Sequence, residues 1–315
     1  MNSLQVLDVD RLPKTPVYDQ LHRDPPDKCI VGNNCHCGIW WKSPPKAPQL
    51  LGIIGHYSAN NTGDSKNLLD TACEYLKAKG CEAVIGPMNG NTWKSYRFVT
   101  WSDGSAPFLL EPQNPAEWPK YWQQAGFSPY HEYISSITTH LEQSDPRLLK
   151  AKDRLHLMGT TWHSIDTSIF AEELRRVYRL SLEAFSKNVL YTPLAEEAFL
   201  GQYLSFADKI NKDYVLLAND VDGKCCGFIF AIPDLLQLQQ GKTMNRLIIK
   251  TLAVSPNRRS AGLGAVLVEE VQKKALQNGL DSSVHALMFS KNNSTNIGKN
   301  SQPMRRYTLF VRRLL

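Results

Sequence analysis

Residues 246–290 hold the feature that most limits how this chain can fold. The run "RLIIKTLAVSP" is β-rich and stops at Pro256, "GLGAVLVEEVQKKALQNG" follows with helical spacing, and "SSVHALMFS" returns to strand character. Leu263, Leu267, Val271 and Ala275 recur every four residues with Val268 and Leu276 beside them, which makes one helical face apolar. Gly279 falls where a left-handed glycine ends a helix. Strand, loop, helix and strand in this order form a βαβ unit.

The same order is written once more in the first half. "LLGIIGHYS" is strand-like, "SKNLLDTACEYLKAKG" carries Leu68, Leu69, Ala72, Cys73 and Leu76 on one face, Gly80 ends it, and "CEAVIG" follows as a strand. A chain of 315 residues is long for one core and suits two domains of about 150 residues. The expectation is therefore two copies of one fold, 1–140 and 155–315, joined by a linker at 141–154 that is polar, charged and contains Pro146. Ahead of the second unit, "DTSIFAEELRRVYRLSLEAF" has Phe170, Leu174, Val177, Tyr178 and Phe185 at helical spacing. Thr192 before Pro193 predicts the N-cap of a second helix. Two strands are predicted around a turn at Asp222-Gly223, and a last strand at "RRYTLFVRRL". The fold class that results is α/β, an α+β mixed sheet.

Composition narrows the class of function. With 42% hydrophobic and 21% charged residues the chain is ordinary for a soluble globular protein. The start, "MNSLQVLDVDRLPK", has no basic region followed by an apolar stretch, and no apolar run approaches the ~20 residues of a membrane span. A cytoplasmic location with no membrane partner is expected. Seven scattered cysteines fit a reducing compartment better than a disulfide framework. "CIVGNNCHC" offers Cys29, Cys35, His36 and Cys37, but lacks the knuckle and distant ligand pair of a zinc site, so no metal is expected. On a strand, Cys35 and Cys37 share one face. The net charge of +6 is not gathered into a stripe; Arg305, Arg306, Arg312 and Arg313 alternate in pairs with apolar residues, and no nucleic-acid partner is expected.

The loop of the second unit, "LAVSPNRRSAGLGA", asks for a particular ligand. Glycines at a helix mouth let a ligand approach the backbone, and the unpaired first-turn N–H groups attract phosphate. Arg258 and Arg259 add cationic donors, and the preceding strand offers main-chain groups to an extended arm. A diphosphate with a polar, extended tail describes coenzyme A. A Walker A loop is absent, and Leu267 stands where the dinucleotide fingerprint needs Gly or Ala.

Arg259-Ser260-Ala261-Gly262-Leu263-Gly264 matches the R/Q-x-x-G-x-G/A motif of the GNAT superfamily of N-acetyltransferases, after a strand ending Val254-x-Pro256 and before a long helix. Residues 155–315 resemble that family in element order, and "HALM", a following asparagine and "RRY" resemble uncharacterised two-domain bacterial members. In the first half, "YWQQAGF" (Tyr121 to Phe127) is similar to a common GNAT ending, but the phosphate loop "SANNTGDSKN" lacks arginine and G-x-G and has Asp64 where an anion is expected. The resemblance thus implies a tandem GNAT-like acyl-CoA N-acyltransferase fold with a degenerate N-terminal copy. "GPMNGNTW" and "FLLEPQNP" are read as shaping a binding or packing surface.

The resemblance implies direct transfer of acetyl from acetyl-CoA to an amine, on a small molecule or a peptide. It places Leu252, Ala253 and Val254 along the pantetheine, Arg259, Ser260, Ala261, Gly262, Leu263 and Gly264 around the diphosphate, Arg258 at the adenosine phosphate, and Asn293 on the pantetheine. The family's frequent glutamate is missing from "RLIIKTLAV", whose ionisable groups are Arg246 and Lys250. That leaves His285 as base or as a core histidine, and Tyr307 as acid or as a packed residue. An acetyl-CoA-binding regulatory protein without efficient catalysis is the alternative, and a purely structural protein is argued against by the intact loop.

Overall fold

The structure is a computed structural model that describes residues 4–142, 145–291 and 301–314. The first half contains β1 (Gln5–Leu7), α1 (Asp19–Arg23), β2 (Lys28–Val31), β3 (Cys35–Trp40), β4 (Leu51–Ala59), α2 (Thr62–Ala78), β5 (Ala83–Gly86), β6 (Phe98–Ser102), α3 (Trp118–Gln124) and β7 (Ser128–Thr138). Helix α4 (Pro146–Leu157) leads into the second half. There follow β8 (Thr161–Ser164), α5 (Phe170–Phe185), α6 (Glu196–Tyr203), β9 (Val215–Asn219), β10 (Cys225–Pro233), α7 (Leu236–Gln239), β11 (Arg246–Val254), α8 (Leu263–Gln277), β12 (Ser282–Phe289) and β13 (Gln302–Arg313). Among the described residues no helix is long and apolar enough to cross a membrane.

The internal repeat is visible in the backbone chemistry. After α2, Gly80 takes φ +86° and Cys81 N donates to Leu76 O at 3.1 Å; after α8, Gly279 takes φ +81° and Leu280 N donates to Ala275 O at 2.9 Å. Both helices therefore close on the same left-handed glycine motif, which returns the chain towards the sheet. Each crossover joins parallel strands that pair only briefly: Leu51–Ile53 with Ala83–Ile85, and Arg246–Ile249 with Ser282–His285.

One sheet runs through the whole molecule in the order β1-β2-β3-β4-β5-β13-β7-β12-β11-β10-β9-β8, with β6 also pairing β13. The closing strands are exchanged: β13 lies against β5 of the first half, β7 lies against β12 of the second, and the two pair with each other over nine positions. Each half supplies the strand that completes the other's sheet. Alternation along the strands feeds both faces. Ile229 of β10 packs under α8 with Leu263 and Leu267, while its neighbour Phe228 faces α5 with Leu174 and Val177. Cys35 and Cys37 pack together in the core of the first half, and burial pushes the nearby Cys29 thiol up to about 12.

Two local expectations are corrected. Residues 141–154, expected as a linker, largely form α4: Asp145 accepts from Arg147 N at 3.0 Å, Pro146 occupies the first turn, and Lys152 bridges Glu269 and Glu270 of α8 at 2.6 Å each. Charge pairing, invisible without knowing where α8 lies, turns a polar stretch into a docked helix. Helix α6 starts at Glu196, three residues after Pro193. Tertiary bonds hold the intervening chain extended, since Trp93 Nε1 donates to Thr192 O at 2.7 Å and Tyr178 Oη to Leu194 O at 2.8 Å.

The two copies differ at the place where their parallel strands part. In the first half the gap beyond β5 is filled by its own chain: Met88 is fully buried, its N–H donates to Ile54 O at 2.8 Å, and Asn89 Oδ1 accepts from His56 N at 2.8 Å. A Cβ on Gly55 would lie 2.1 Å from the Met88 carbonyl oxygen. Backbone cannot yield as a flexible side chain can, so Gly55→Ala is expected to destabilise the protein by about 3 kcal/mol or more, read as a lower urea midpoint with unchanged slope.

Candidate functional site

In the second half the loop from Asn257 to Ala261 ties up its own amides and leaves those at the start of the following helix uncapped. Asn257 Oδ1 accepts from Arg259 N at 3.0 Å, Ser260 N donates to Asn257 O and Ala261 N to Arg258 O, which winds Arg258–Ser260 into a short 3₁₀ turn. Gly262 then takes φ +81° and stands as the cap of α8, with no side chain capping the helix. A left-handed cap favours glycine, and an uncapped first turn presents N–H groups and the positive end of the helix dipole. In the first copy the corresponding cap is occupied, because Asn61 Oδ1 accepts from Asp64 N at 2.9 Å. Arg258 and Arg259 are exposed, and among the described residues no carboxylate pairs with either. Arg154 of α4, which sequence reasoning missed, donates to Ala261 O and brings a third guanidinium to this loop.

Strands β11 and β12 stop pairing after Ile249 and His285 and then diverge. Each strand has a bulge where they separate. On β11, Ile249 faces Ala231 and Thr251 faces Phe230, so Lys250 is the extra residue. On β12 the register with β7 slips between His285 and Met288, and Leu287 takes φ +60°, a left-handed backbone uncommon for leucine. The displaced Leu287 N–H donates to Ser135 Oγ at 2.9 Å. Ser135 Oγ lies 3.0 Å from Tyr307 Oη, and Tyr307 donates to Glu111 Oε1 at 2.8 Å. A buried relay through all three side chains thus fixes the splayed strand.

The splay opens into a cavity of about 680 Å³ between the halves. Lys250, Thr251 and Leu252 line one side and His285 to Phe289 another; the first half adds Thr92 to Arg97 and Glu111, and the segment after α5 adds Tyr191. The stretches "GPMNGNTW" and "FLLEPQNP" thus reach the cavity through Thr92, Trp93, Leu110, Glu111 and Pro112. Burial pushes the Lys250 ammonium down to about 8, helped by the Arg97 charge and opposed by Glu111. Burial also raises the Glu111 carboxyl, against the hydrogen bond from Tyr307 and the Arg305 guanidinium 3.0 Å away. Arg246, the other ionisable group of β11, is held by buried Asp234 at 2.6 and 2.8 Å and does not line the cavity.

The residues singled out from sequence are brought together only in part. Leu252, Ala253 and Val254 continue β11 past the splay towards Arg258–Gly264, as one strand–loop–helix path. Asn293 lies outside the described residues. His285 lines the cavity, but burial drives its imidazole down to about 4, and its Nε2 has no partner among the described residues. It is neutral at physiological pH and too weakly basic to hold a proton there. Tyr307 is fully buried, does not line the cavity and has its hydroxyl engaged by Glu111 and Ser135; burial and the neighbouring carboxylate hold its phenol well above the ordinary range. Of the two readings of Tyr307, acid or packed residue, this geometry favours a packed strut of the splay. Lys250 and Glu111 were visible as residue types in the sequence, but only the fold puts them in one cavity.

Known proteins place this architecture. Residues 174–297 match the acetyltransferase (GNAT) family. A GCN5-related N-acetyltransferase from Sphaerobacter thermophilus superposes with a TM-score of 0.53 at 13% identity, covering 98% of this chain and 95% of that one. A tandem GNAT protein from the clavulanic acid biosynthesis pathway gives 0.53 at 12%, covering 99% and 98%. A bacterial ceramide synthase of Caulobacter vibrioides is 21% identical over 195 residues, a stretch that spans 61% of this chain and 50% of the relative. The mixed sheet, with its splayed parallel strands and glycine-led helix, is a GNAT fold, the fold of a family of acyltransferases. Residues 174–297 carry the GNAT family match, and the whole chain has the fold of solved tandem GNAT proteins, with two GNAT-like copies.

Removing the hydroxyl at the centre of the relay tests its structural role. Ser135→Ala leaves the Leu287 amide and the Tyr307 oxygen without their buried partner, and a loss of about 1–3 kcal/mol in unfolding free energy is expected from denaturant titration.

Proposed function

We propose that the protein is an acetyl-CoA-dependent N-acetyltransferase whose chemistry takes place in the cavity between β11 and β12. The single observation that carries this reading is the continuity of three features: an uncapped left-handed glycine turn with free arginines, a strand edge leading from it, and a cavity at the end of that edge. Arg258, Arg259, Ser260, Ala261, Gly262, Leu263 and Gly264 would hold the diphosphate, with Leu252, Ala253 and Val254 along the pantetheine and Asn293 as an expected further contact. When bound, the coenzyme supplies an acyl thioester. The first copy lacks both parts, since its cap is filled and its splay is plugged by Met88.

An amine attacks only after losing its proton, and Lys250 is the group suited to receive it. It sits on the bulge of β11, and with a pKa of about 8 a substantial fraction is neutral near pH 7.5. Charges facing it are Arg97, which lowers its proton affinity, and Glu111, which raises it. His285 offers its neutral Nε2 as a hydrogen-bond partner beside the same bulge. The bulge itself takes a main-chain residue out of the ladder, where its N–H serves a developing oxyanion.

A longer acyl donor is the second reading, favoured by the cavity's volume and by Phe185, Val189, Leu287 and Phe289 in its lining. The similarity to a ceramide synthase points the same way. Turnover compared across acyl-CoA chain lengths, from acetyl to palmitoyl, decides between the two.

Arg258→Ala with Arg259→Ala removes charge-assisted contacts and is expected to weaken coenzyme A binding about ten- to a hundredfold in calorimetry; unchanged affinity removes the proposed docking. With wild type, kcat is expected to fall about tenfold per pH unit below about pH 8, as Lys250 becomes protonated. Lys250→Met should abolish that limb and most of the turnover while leaving coenzyme binding intact. A limb that persists in the variant assigns the proton acceptor elsewhere.

A further inference from the structure

We propose that the acceptor amine carries an oxyanion, a carboxylate or a phosphate, which docks on Arg97 in the cavity between the two halves. This rests on the acyl-transfer reading of the same cavity. Arg97 is 7% exposed, and its guanidinium sits in the corner made by two nearly perpendicular aromatic rings, with Cζ 3.8 Å from the centroids of both Tyr96 and Tyr133. Contact with both rings holds the group in place without supplying a counter-charge. One bond from the guanidinium is to main chain, from Nη1 to Leu287 O at 3.3 Å, and Nε is buried with no partner among the described residues.

The charge balance shows what is missing. Among the described residues no ion pair is formed by Arg97, and the residues outside that set (1–3, 143–144, 292–300 and 315) include no Asp or Glu. Glu111, the carboxylate in the cavity lining, is already claimed by Arg305 at 3.0 Å and by Tyr307 at 2.8 Å. Arg305 is balanced in turn by Asp103 at 2.8 Å. A buried guanidinium held in place without a counter-ion is strongly unfavourable unless something supplies the anion, and a planar fork suits a two-oxygen acceptor. His285 Nε2, also buried without a partner, lines the same space and provides a further polar contact for such a ligand. Because Arg97 comes from the first half and Lys250 from the second, the degenerate copy would supply acceptor recognition.

The test is calorimetric titration of the full chain, saturated with coenzyme A, with matched amines: glycine against glycinamide, and O-phosphoethanolamine against ethanolamine. At least one anionic member should bind about tenfold or more tightly than its neutral partner, and which pair shows the gap distinguishes carboxylate from phosphate. In Arg97→Gln the gap should close, while Arg97→Lys, which keeps the charge but not the fork, should retain part of it. Equal binding within both pairs, or no binding of either anionic amine at millimolar concentration, overturns the proposal, and neither outcome depends on a variant folding. A separate titration with coenzyme A alone reports on the acyltransferase reading, so the two can fail independently.

Discussion

The antiparallel ribbon of β7 and β13 is the constraint on which the rest of this structure depends. It pairs over nine positions, and each of its strands completes the half that did not supply the rest of the sheet. Main-chain hydrogen bonding across the ribbon removes two exposed strand edges at once, which is what makes one sheet of two copies more favourable than two open ones. It also sets the distance between the halves. The cavity is a consequence, because β12 can bend away from β11 only where Ser135 of β7 takes up the amide that the bend releases.

Duplication gave the molecule two positions where parallel strands part, and packing treats them in opposite ways. In the first copy, glycines at 55 and 86 allow the following chain to fold back into the gap, and Met88 closes it. In the second, bulges at Lys250 and Leu287 widen the gap, and a buried hydroxyl relay running from Ser135 through Tyr307 to Glu111 holds it open. An identical topology therefore yields a plugged core in one half and an open cavity in the other. The side chains that line that cavity come from both.

The electrostatics of the cavity follow from this mixed origin. Burial lowers the proton affinity of Lys250 and His285 and raises that of Glu111, so the cavity favours neutral forms of these three groups. Arg97 is the exception, since a guanidinium stays charged at any accessible pH. Tyr96, Tyr133 and one carbonyl contact it, but none of them supplies a counter-charge. Such a setting is suited to moving a proton from an amine while holding an anion still.

The sequence by itself determined the repeated strand–helix–strand units, their terminating glycines at 80 and 279, and the arginine–glycine loop, because each is written in local spacing and backbone preference. It also carried the loss of that loop in the first copy, through Asp64 and the missing arginines. Only the tertiary structure decided the rest. Strand exchange joins residues about 170 positions apart, such as Ser135 and Tyr307, and nothing local encodes it. The helix across 146–157, the extended chain after Thr192 and the fate of Tyr307 all rest on partners from distant segments. The meeting of Arg97, Glu111, Lys250 and His285 in one cavity has the same origin: a residue type shows what chemistry it can do, but burial and neighbours, which set its charge, exist only after the chain has folded.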